Sequence, residues 1–320
     1  MTDIVKEMAE NCRSFDVVIL GGGPAGMAAA MWCAELGMTS IVIEERQDFG
    51  GQLNWIHVPI KNYPGIDLAN GAEFLERLIA QLQDRKIEIR KGAEISGVDL
   101  SDRTIALTSG ETFAGKAIVI ATGVRRRKLG VENEDAFFGR GVLQTGQINR
   151  EDLRGKKLLI VGGGDAAFEN AFNLSAFAEK TYLLHRRSDF SARPKFVERV
   201  LKNPRVLVIK NAEVTHIAGE RRLESVHYVD NVTKATAELR VDSLLVRIGV
   251  VPNSDPFRDD LKTDKKGYIL VDHTGQTSFD HVFAVGDIAN PLSPTISTAV
   301  GTGSTAAKSI YRLLSMTPNK

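Results

Sequence analysis

Short, mainly apolar runs, each leading within three residues to a glycine or a charged side chain, mark the buried strands predicted for this chain. Such runs occupy residues 17–20, 40–43, 117–120 and 158–161. Continuous runs of this length, bounded by turn residues, are typical of parallel strands covered on both faces. Residues 71–83 instead carry apolar side chains three and four positions apart, which predicts an amphipathic helix. Strands and helices that alternate in this way predict an α/β chain.

A glycine-rich turn follows the first of these runs. Gly21, Gly23 and Gly26 form the pattern G-x-G-x-x-G between this strand and a predicted helix at 27–36. The first glycine permits the turn, the second lets a pyrophosphate approach, and the third lets the helix pack tightly on the strand. The next strand ends at Glu44, where a carboxylate accepts hydrogen bonds from a ribose. A glycine turn without a ligand is the alternative, but the flanking elements favour a dinucleotide site.

The same arrangement occurs a second time in the chain. A strand at 158–161 runs into the glycines at 162–164, and a helix at 165–176 and a strand at 181–184 are predicted after them. A repeated strand–glycine–helix–strand unit indicates two dinucleotide-binding units in one chain.

The two units differ in the residues that follow their second strands. The first unit has Glu44 there, whereas the second has His185, Arg186 and Arg187. A carboxylate suits a free ribose hydroxyl, and arginines suit a 2′-phosphate. The second site is therefore predicted to prefer NADP(H), with a solvated basic turn as the alternative.

The rest of the chain is predicted to contain more short strands and one long helix. The strand that begins at Val282 ends at Gly286 and Asp287, which presents a carboxylate at the edge where open α/β sheets bind ligands. The remaining predictions are strands around 206–214, 223–229 and 238–246 and a final helix at 298–314.

Composition narrows the class of protein. The length of 320 residues predicts about two domains. A formal net charge of +1 gives no reason to expect nucleic acid or a membrane as the main partner, and no apolar run is long enough to span a bilayer. The only cysteines, Cys12 and Cys33, fit a reducing cytoplasm, and Cys33 is predicted to be a buried, inert thiol.

Together these motifs resemble the low-molecular-weight thioredoxin reductase family. The resemblance implies two Rossmann-like dinucleotide-binding domains, a discontinuous one for FAD and one for NADPH, in a protein that forms homodimers. The implied division is a leader at 1–14, the FAD-binding domain at 15–125 and 249–320, and the NADPH-binding domain at 126–248.

The resemblance also implies which residues bind each cofactor. The candidates for FAD are Gly21, Gly23, Pro24, Ala25, Gly26, Glu44, Glu45, Gly51, Gln52, Leu53, Asn62, Ala121, Thr122, Gly123, Gly286, Asp287, Thr295 and Ile296. The candidates for NADPH are Gly162, Gly164, Asp165, Ala166, Ala167, His185, Arg186, Arg187 and Arg193. Arg193 is included because the third arginine of the family's basic motif is replaced here by Ser191.

One departure from the family decides the functional prediction. Thioredoxin reductases carry a redox Cys-x-x-Cys just after the motif that stands here at 139–142, and those cysteine positions become Thr145 and Ile148. Neither side chain forms a thiolate or exchanges with a disulfide. A disulfide reductase that carries its own dithiol is therefore excluded by the sequence.

The chain is accordingly predicted to be an NADPH-dependent FAD oxidoreductase that resembles the thioredoxin-reductase-like ferredoxin/flavodoxin–NADP⁺ reductases. Hydride would pass between the nicotinamide and the flavin, so no side chain is needed as an acid or base. The alternatives are an NAD(P)H oxidase or a reductase of quinones or other small molecules and, from another class, a redox-inactive FAD-binding regulatory protein.

Two further hypotheses concern the flavin face and the partner. Ferredoxin reductases of this kind usually cover the flavin with an aromatic ring on a C-terminal segment, for which residues 316–320 are too short. Trp55 or His57 is the candidate to supply that ring, with ordinary loop packing as the alternative. The basic run 125–128 marks a domain junction and is a candidate to steer an acidic carrier, with a solvated linker as the alternative.

Overall fold

A computed structural model describes residues 12–85, 87–143 and 150–316 of the chain. These residues divide into two compact units. The first unit is formed by the chain up to Arg125 and from Val251 onwards, and the second by Arg126–Val250.

The elements follow one another in chain order. The strands are β1 (Cys12–Leu20), β2 (Ser40–Glu44), β3 (Glu88–Lys91), β4 (Ile95–Asp99), β5 (Thr104–Leu107), β6 (Thr112–Ile120), β7 (Val124–Arg126), β8 (Val142–Leu143), β9 (Lys157–Val161), β10 (Lys180–Leu184), β11 (Val206–Ile209), β12 (Ala212–Ala218), β13 (Ser225–Asp230), β14 (Thr236–Arg240), β15 (Ser243–Val246), β16 (Val250–Pro252) and β17 (Val282–Ala284). The α-helices are α1 (Pro24–Glu35), α2 (Gly71–Gln83), α3 (Asp165–Leu174), α4 (Pro194–Leu201) and α5 (Ile296–Met316). Short 3₁₀ turns lie at Gly51–Trp55, Arg150–Leu153, Asp255–Phe257 and Gly286–Ile288.

The first unit is built on a sheet in the order β3-β2-β1-β6-β5-β4, with β17 paired to the far end of β6. Strands β1, β2, β3, β6 and β17 are parallel, whereas β4 and β5 form an antiparallel extension. The glycine turn therefore lies at the same sheet edge as the ends of β2, β6 and β17. β1 begins at Cys12 and pairs there with Thr112 of β6, so residues 12–14, which we expected in the leader, lie in the sheet.

Helix α1 is buried on most of its circumference. Its side chains from Ala25 to Ala30 and that of Cys33 are all buried, which is typical of a helix covered on several sides. It packs against the sheet, α2 and α5. The close approach of α5 requires Gly303, because a Cβ there would overlap the carbonyl oxygen of Ala25.

The second unit contains a parallel sheet in the order β11-β10-β9-β15-β8 and an antiparallel sheet of β12, β13 and β14. The parallel strands are nearly continuous in apolar residues, as the sequence predicts for strands buried on both faces. The carboxyl ends of β9 and β10 lie side by side, so the second glycine turn and the basic residues after β10 lie at one edge.

Two of the predictions were wrong because each run was expected to be one strand and forms two in the structure. The run at 206–214 is divided between β11 and β12, which belong to different sheets, because Asn211 has a positive φ of 55° that ends the extended chain. The run at 238–246 is likewise divided between β14 and β15. Asp242 separates them, since its backbone N–H donates to the Lys157 carbonyl and its carboxylate accepts from the Lys157 N–H.

The helix boundaries differ from the predicted ones by a few residues. α1 begins at Pro24 rather than at residue 27, because proline suits the first turn of a helix. α3 ends at Leu174 rather than at 176, and the final helix spans Ile296–Met316 rather than 298–314.

The longest helix in the described ranges is α5, with 21 residues. Neither it nor any other helix among the described residues is long and apolar enough to cross a bilayer.

Candidate functional site

The first unit contains a pocket at the edge where β1, β2, β6 and β17 end. Its empty volume, counted with the space open to solvent at its mouth, is about 1020 Å³. It is lined by Gly21, Gly23, Pro24, Ala25, Glu44, Glu45, Arg46, Gly51, Gln52, Leu53, Trp55, Ile56, Ala121, Thr122, Gly123, Val124, Asn253, Val285, Gly286, Asp287, Pro294, Thr295, Ile296 and Ala299.

The three glycines of the first turn do three different things. Gly21 has a positive φ of 107° and lies so close to β6 that a Cβ would be 2.5 Å from the Ala121 carbonyl oxygen. A Cβ on Gly26 would overlap the Gly21 carbonyl oxygen, so this glycine sets the close packing of α1 on the turn. A Cβ on Gly23 would meet no protein atom within 4 Å. Gly23 lines the pocket, so its missing side chain leaves free space for a ligand.

Glu44 is a buried carboxylate fixed by two backbone donors. Its Oε2 accepts from the Gly22 N–H at 2.7 Å, and its Oε1 accepts from the Arg46 N–H at 2.9 Å. The side chain is 8% exposed and lines the pocket. Each oxygen keeps a second lone pair, so the carboxylate is held in place to accept further hydrogen bonds.

Residues far apart in sequence meet on the β17 side of the pocket. The Gln52 amide donates to Asp287 Oδ2 at 2.7 Å. Burial raises the pKa of the Asp287 carboxyl, and the hydrogen bond from Gln52 partly offsets this effect. Asp287 is thereby fixed as a partly buried hydrogen-bonding group.

Asn253 joins two crossing segments beside the pocket. Its amide donates to the Thr122 carbonyl oxygen at 2.7 Å, and the Thr122 hydroxyl donates to the Asn253 carbonyl oxygen at 3.1 Å. The Asn253 N–H also donates to the Gly123 carbonyl oxygen at 3.0 Å. These bonds hold Thr122 and Gly123 at the end of β6.

The pocket brings together most of the FAD candidates, with two exceptions. Gly26 is buried behind the turn, and Asn62 is exposed and outside the pocket lining. Of the two aromatic candidates, Trp55 lines the pocket, whereas His57 is exposed and does not. Sequence reasoning missed several residues that line it: Arg46, Ile56, Val124, Asn253, Val285 and Ala299.

Trp55 is in contact with Arg46, whose guanidinium carbon lies 4.9 Å from the centroid of the Trp55 ring. This distance is within the range of a cation–π interaction. Arg46 follows Glu44 by two residues, so the pair lies at the same end of the pocket as the Glu44 carboxylate.

The glycine turn of the second unit resembles that of the first. A Cβ on Gly162 would overlap the Arg247 carbonyl oxygen, and one on Gly163 would overlap the His185 ring. A Cβ on Gly164 would only touch the Ser191 hydroxyl oxygen, at 3.6 Å. Ala167 takes the place of the third glycine. As in the first unit, the first glycine of the motif, Gly162, is tightly packed, and the second, Gly164, has room for a ligand beside it.

Arg193 is bound to Asp165 at the start of α3. Its backbone N–H and its Nε each donate to the Asp165 carboxylate at 2.7 Å. Ala166 and Ala167 follow in the first turn of this helix. The Arg193 guanidinium that we expected to replace a missing arginine is therefore engaged with a carboxylate.

The basic residues after β10 are arranged around His185, whose pKa is lowered. Burial lowers the pKa of His185, and the nearby cations Arg187, Arg186 and Lys210 lower it further. The hydrogen-bonding contact of the ring with the Asp189 carbonyl oxygen has the opposite effect and raises the pKa. Arg186 and Arg187 are exposed, and no carboxylate of the described chain lies within 4 Å of either guanidinium. The end of β10 thus presents uncompensated positive charge.

Comparison with known proteins agrees with this fold. The family model of pyridine nucleotide-disulphide oxidoreductases matches residues 15–303, and the chain belongs to that family. It is an oxidoreductase and a flavoprotein with a thioredoxin reductase-like fold, and FAD and NADPH are its cofactors.

Particular relatives extend over almost the whole chain. A thioredoxin reductase of Listeria innocua is 31% identical over 306 residues, 95% of each chain. A 34.2 kDa protein in the rubredoxin operon of Clostridium pasteurianum is 31% identical, over 92% of this chain and 96% of its own. The crystal structure of Lactococcus lactis thioredoxin reductase superposes with a TM-score of 0.83 and 31% identity, covering 95% of this chain and 100% of the other.

Proposed function

We propose that this protein is an NADPH-dependent FAD oxidoreductase that passes electrons to an external acceptor and not through a disulfide of its own. The main support for this proposal is the cysteine content of the chain. The whole sequence contains two cysteines, Cys12 and Cys33, which are 21 positions apart and are both free. Thr145 and Ile148, which stand at the family's cysteine positions, lie outside the described residues.

Neither cysteine is suited to replace the missing pair. Cys33 is fully buried in α1, and burial raises the pKa of its thiol to about 12. A thiol with that pKa is almost entirely protonated at neutral pH, and the thiolate is the reactive form. Cys12 begins β1, at the end of the strand opposite the glycine turn. The chain therefore has no Cys-x-x-Cys with which to reduce a thioredoxin-type disulfide.

The residues of the first pocket fit FAD. In this proposal the Gly21–Gly26 turn and the start of α1 hold the pyrophosphate, and Glu44 accepts hydrogen bonds from the adenosine ribose. Asp287, fixed by Gln52, binds hydroxyl groups farther along the pocket. Bound FAD supplies the redox centre that exchanges hydride with the nicotinamide.

The acceptor is proposed to be a small redox carrier of the ferredoxin or flavodoxin type. The similarity to a protein encoded in a rubredoxin operon supports this class of partner. The basic run at 125–128 gives weaker support than its sequence suggested. Arg125 is paired with Asp255 at 2.7 Å, and Lys128 is paired with Asp135 at 2.6 Å.

This pairing favours a second candidate function, an NAD(P)H oxidase or a reductase of small molecules such as quinones. Two of the four positive charges in the run are offset by nearby carboxylates, so its long-range attraction for an acidic carrier is reduced. Small neutral acceptors need no electrostatic steering. The two candidates differ in how their rates depend on salt, because steered association slows as ionic strength rises past about 0.1 M.

A double variant tests the claim that no cysteine takes part. In Cys12→Ser/Cys33→Ala, alanine is chosen at position 33 because serine would bury a hydroxyl group in an apolar helix. We expect NADPH to reduce the bound flavin at an unchanged rate and turnover with external acceptors to stay within about twofold. Stopped-flow absorbance at 450 nm measures the first rate, and steady-state NADPH oxidation measures the second.

The acceptors in this assay are ferredoxin, flavodoxin, quinones, oxygen and thioredoxin disulfide. Reduction of thioredoxin disulfide by the natural protein, lost in the double variant, would contradict the proposal. Turnover that depends on ferredoxin or flavodoxin supports the first candidate, and turnover with quinones or oxygen alone supports the second. A flavin that NADPH does not reduce would point to the regulatory class of protein.

Trp55 is proposed to belong to the adenosine end of the FAD site and not to the face of the flavin ring. Its contact with Arg46, two residues after Glu44, supports this position. The chain contains only one other tryptophan, Trp32, whose ring is covered by Lys308 at 3.8 Å. A Trp32→Phe variant therefore leaves Trp55 as the only tryptophan that reports on the pocket.

In flavin-free Trp32→Phe protein, ADP is expected to change the Trp55 fluorescence, because a base that stacks on the Arg46–Trp55 pair alters the surroundings of the ring. Adding Arg46→Ala is expected to weaken ADP and FAD binding about twofold to fivefold, since exposed cation–π contacts are worth about 0.5–1 kcal/mol. Lumichrome, which has the flavin ring alone, is the comparison ligand. A response to lumichrome without one to ADP would place Trp55 at the flavin ring.

A further inference from the structure

We propose that Lys210 is a specificity-determining residue for NADPH and completes a three-cation site for its 2′-phosphate with Arg186 and Arg187. The proposal deepens the NADPH dependence described above and rests on it. The proposal is based on a cluster of three cations at the ends of β10 and β11, formed by Arg186, Arg187 and Lys210 and called the cation cluster below.

The backbone holds these residues next to one another. β10 and β11 pair in parallel with Leu184 opposite Ile209, so Lys210 comes directly after the strand that borders His185. The His185 N–H donates to the Ile209 carbonyl oxygen at 2.8 Å, and the Ala212 N–H donates to the His185 carbonyl oxygen at 3.0 Å. These bonds continue the strand pairing past the ends of both strands.

Asn231, which directly follows β13, ties the same two segments together. Its amide donates to the Arg186 carbonyl oxygen at 3.1 Å, and its backbone N–H donates to the Asn211 carbonyl oxygen at 2.6 Å. The Asn211 N–H also donates to the Arg187 carbonyl oxygen at 3.3 Å. The cation cluster is therefore set on a hydrogen-bonded edge rather than on separate loops.

Phe190 lies against both Lys210 and His185 at this edge. Lys210 Nζ lies 4.7 Å from the centroid of the Phe190 ring, and the His185 ring packs on the same phenylalanine at 5.4 Å between centroids. Lys210 is exposed, and no carboxylate of the described chain lies within 4 Å of its Nζ. Its charge is thus available to a ligand.

The charges of this edge match a phosphate dianion. The three cations have no carboxylate partner within 4 Å among the described residues, so the edge has a net positive charge that repels itself. An anion with several acceptor oxygens relieves this repulsion and accepts a hydrogen bond from each cation. Arg193, the other cation near this turn, is engaged with Asp165 and is left out of the site.

Lys210→Gln in the FAD-loaded protein tests the proposal by equilibrium binding, without turnover. The ligands are 2′,5′-ADP, which carries the 2′-phosphate, and 5′-AMP, which is otherwise the same molecule, each measured by isothermal titration calorimetry. We expect 2′,5′-ADP to bind about five- to tenfold more weakly, because an exposed charge-assisted contact is lost. Binding of 5′-AMP should change less than twofold.

Two further variants control for position and charge. Lys180→Gln removes a lysine at the opposite end of β10 and is expected to leave both ligands unaffected. Lys210→Arg keeps the positive charge and is expected to bind 2′,5′-ADP within about twofold of the natural protein. Lower affinity for 2′,5′-ADP should be accompanied by a weaker dependence of its binding on salt.

The outcomes separate this proposal from the cofactor preference on which it rests. If the natural protein binds 2′,5′-ADP more tightly than 5′-AMP and Lys210→Gln does not change this, the role of Lys210 is overturned and the NADPH preference stands. Equal losses of both ligands would also overturn it, since they would place Lys210 in general nucleotide binding. If the natural protein does not discriminate, the NADPH preference itself is overturned together with the proposal.

Discussion

Gly23→Ala is expected to give a folded protein that no longer retains FAD. Gly23 lies at the amino-terminal cap of α1 with φ −79° and ψ −179°, an extended conformation that alanine adopts freely. A Cβ there would meet no protein atom within 4 Å, so the fold has room for it. The new methyl group would instead occupy the space through which a pyrophosphate approaches the backbone.

The size of this effect follows from steric crowding. An extra methyl group in a well-packed contact costs about 1–3 kcal/mol, which corresponds to roughly five- to 150-fold in affinity. The measurements are the ratio of absorbance at 450 and 280 nm after purification and the dissociation constant of FAD from the flavin-free protein. Circular dichroism and the melting temperature of the flavin-free variant report whether the fold is intact.

The repeat in the chain supplies matched controls. Gly164→Ala makes the same change in the second turn, where the Cβ would be 3.6 Å from the Ser191 hydroxyl oxygen, and it is expected to weaken NADPH binding while FAD is retained. Gly26→Ala is expected to lower the stability of the protein, because its Cβ would overlap the Gly21 carbonyl oxygen. A Gly23→Ala protein that is purified yellow with one FAD per chain would contradict the assignment of this turn.

The parallel core of both units could be predicted from sequence because its strands are continuous apolar runs. β1 was predicted at its apolar end, Val17–Leu20, which is fully buried. Its first half was not, since the mainly polar segment at 12–16 is strand only through its pairing with β6, a hundred residues later. The division of 206–214 at Asn211 was also missed, because one residue in a left-handed conformation leaves no periodic signal.

The same limit applies to the site. Residues in recurring motifs, such as Gly21, Gly23 and Glu44, were identified because their spacing follows from backbone and phosphate geometry. Asn253 lies outside any such motif, and its role depends on hydrogen bonds to Thr122, 131 positions away. Arg46 was missed for a similar reason, since its contact with Trp55 depends on the course of an irregular loop.

Replacing both arginines after β10 is expected to remove most of the preference for NADPH over NADH. In Arg186→Gln/Arg187→Gln the dissociation constant for NADPH should rise by about tenfold to a hundredfold, because one charge-assisted contact contributes about 1.5–3 kcal/mol. We expect a rise near tenfold, the lower end of this range, since both guanidinium groups are exposed and partly screened by solvent. Lys210 would hold part of the remaining preference.

The binding of NADH should hardly change, because a free 2′-hydroxyl gains little from a guanidinium group. Stopped-flow reduction of the flavin at a series of NADPH and NADH concentrations yields the apparent dissociation constant and the limiting rate for each. The limiting rates should be unchanged, since neither arginine holds the nicotinamide ring in this assignment. Arg199→Gln is the matched control, because Arg199 lies in the same unit on α4 and packs over Phe172 at 3.8 Å. Equal weakening of NADPH and NADH by the double variant would show that the arginines bind a part common to both cofactors and not the 2′-phosphate.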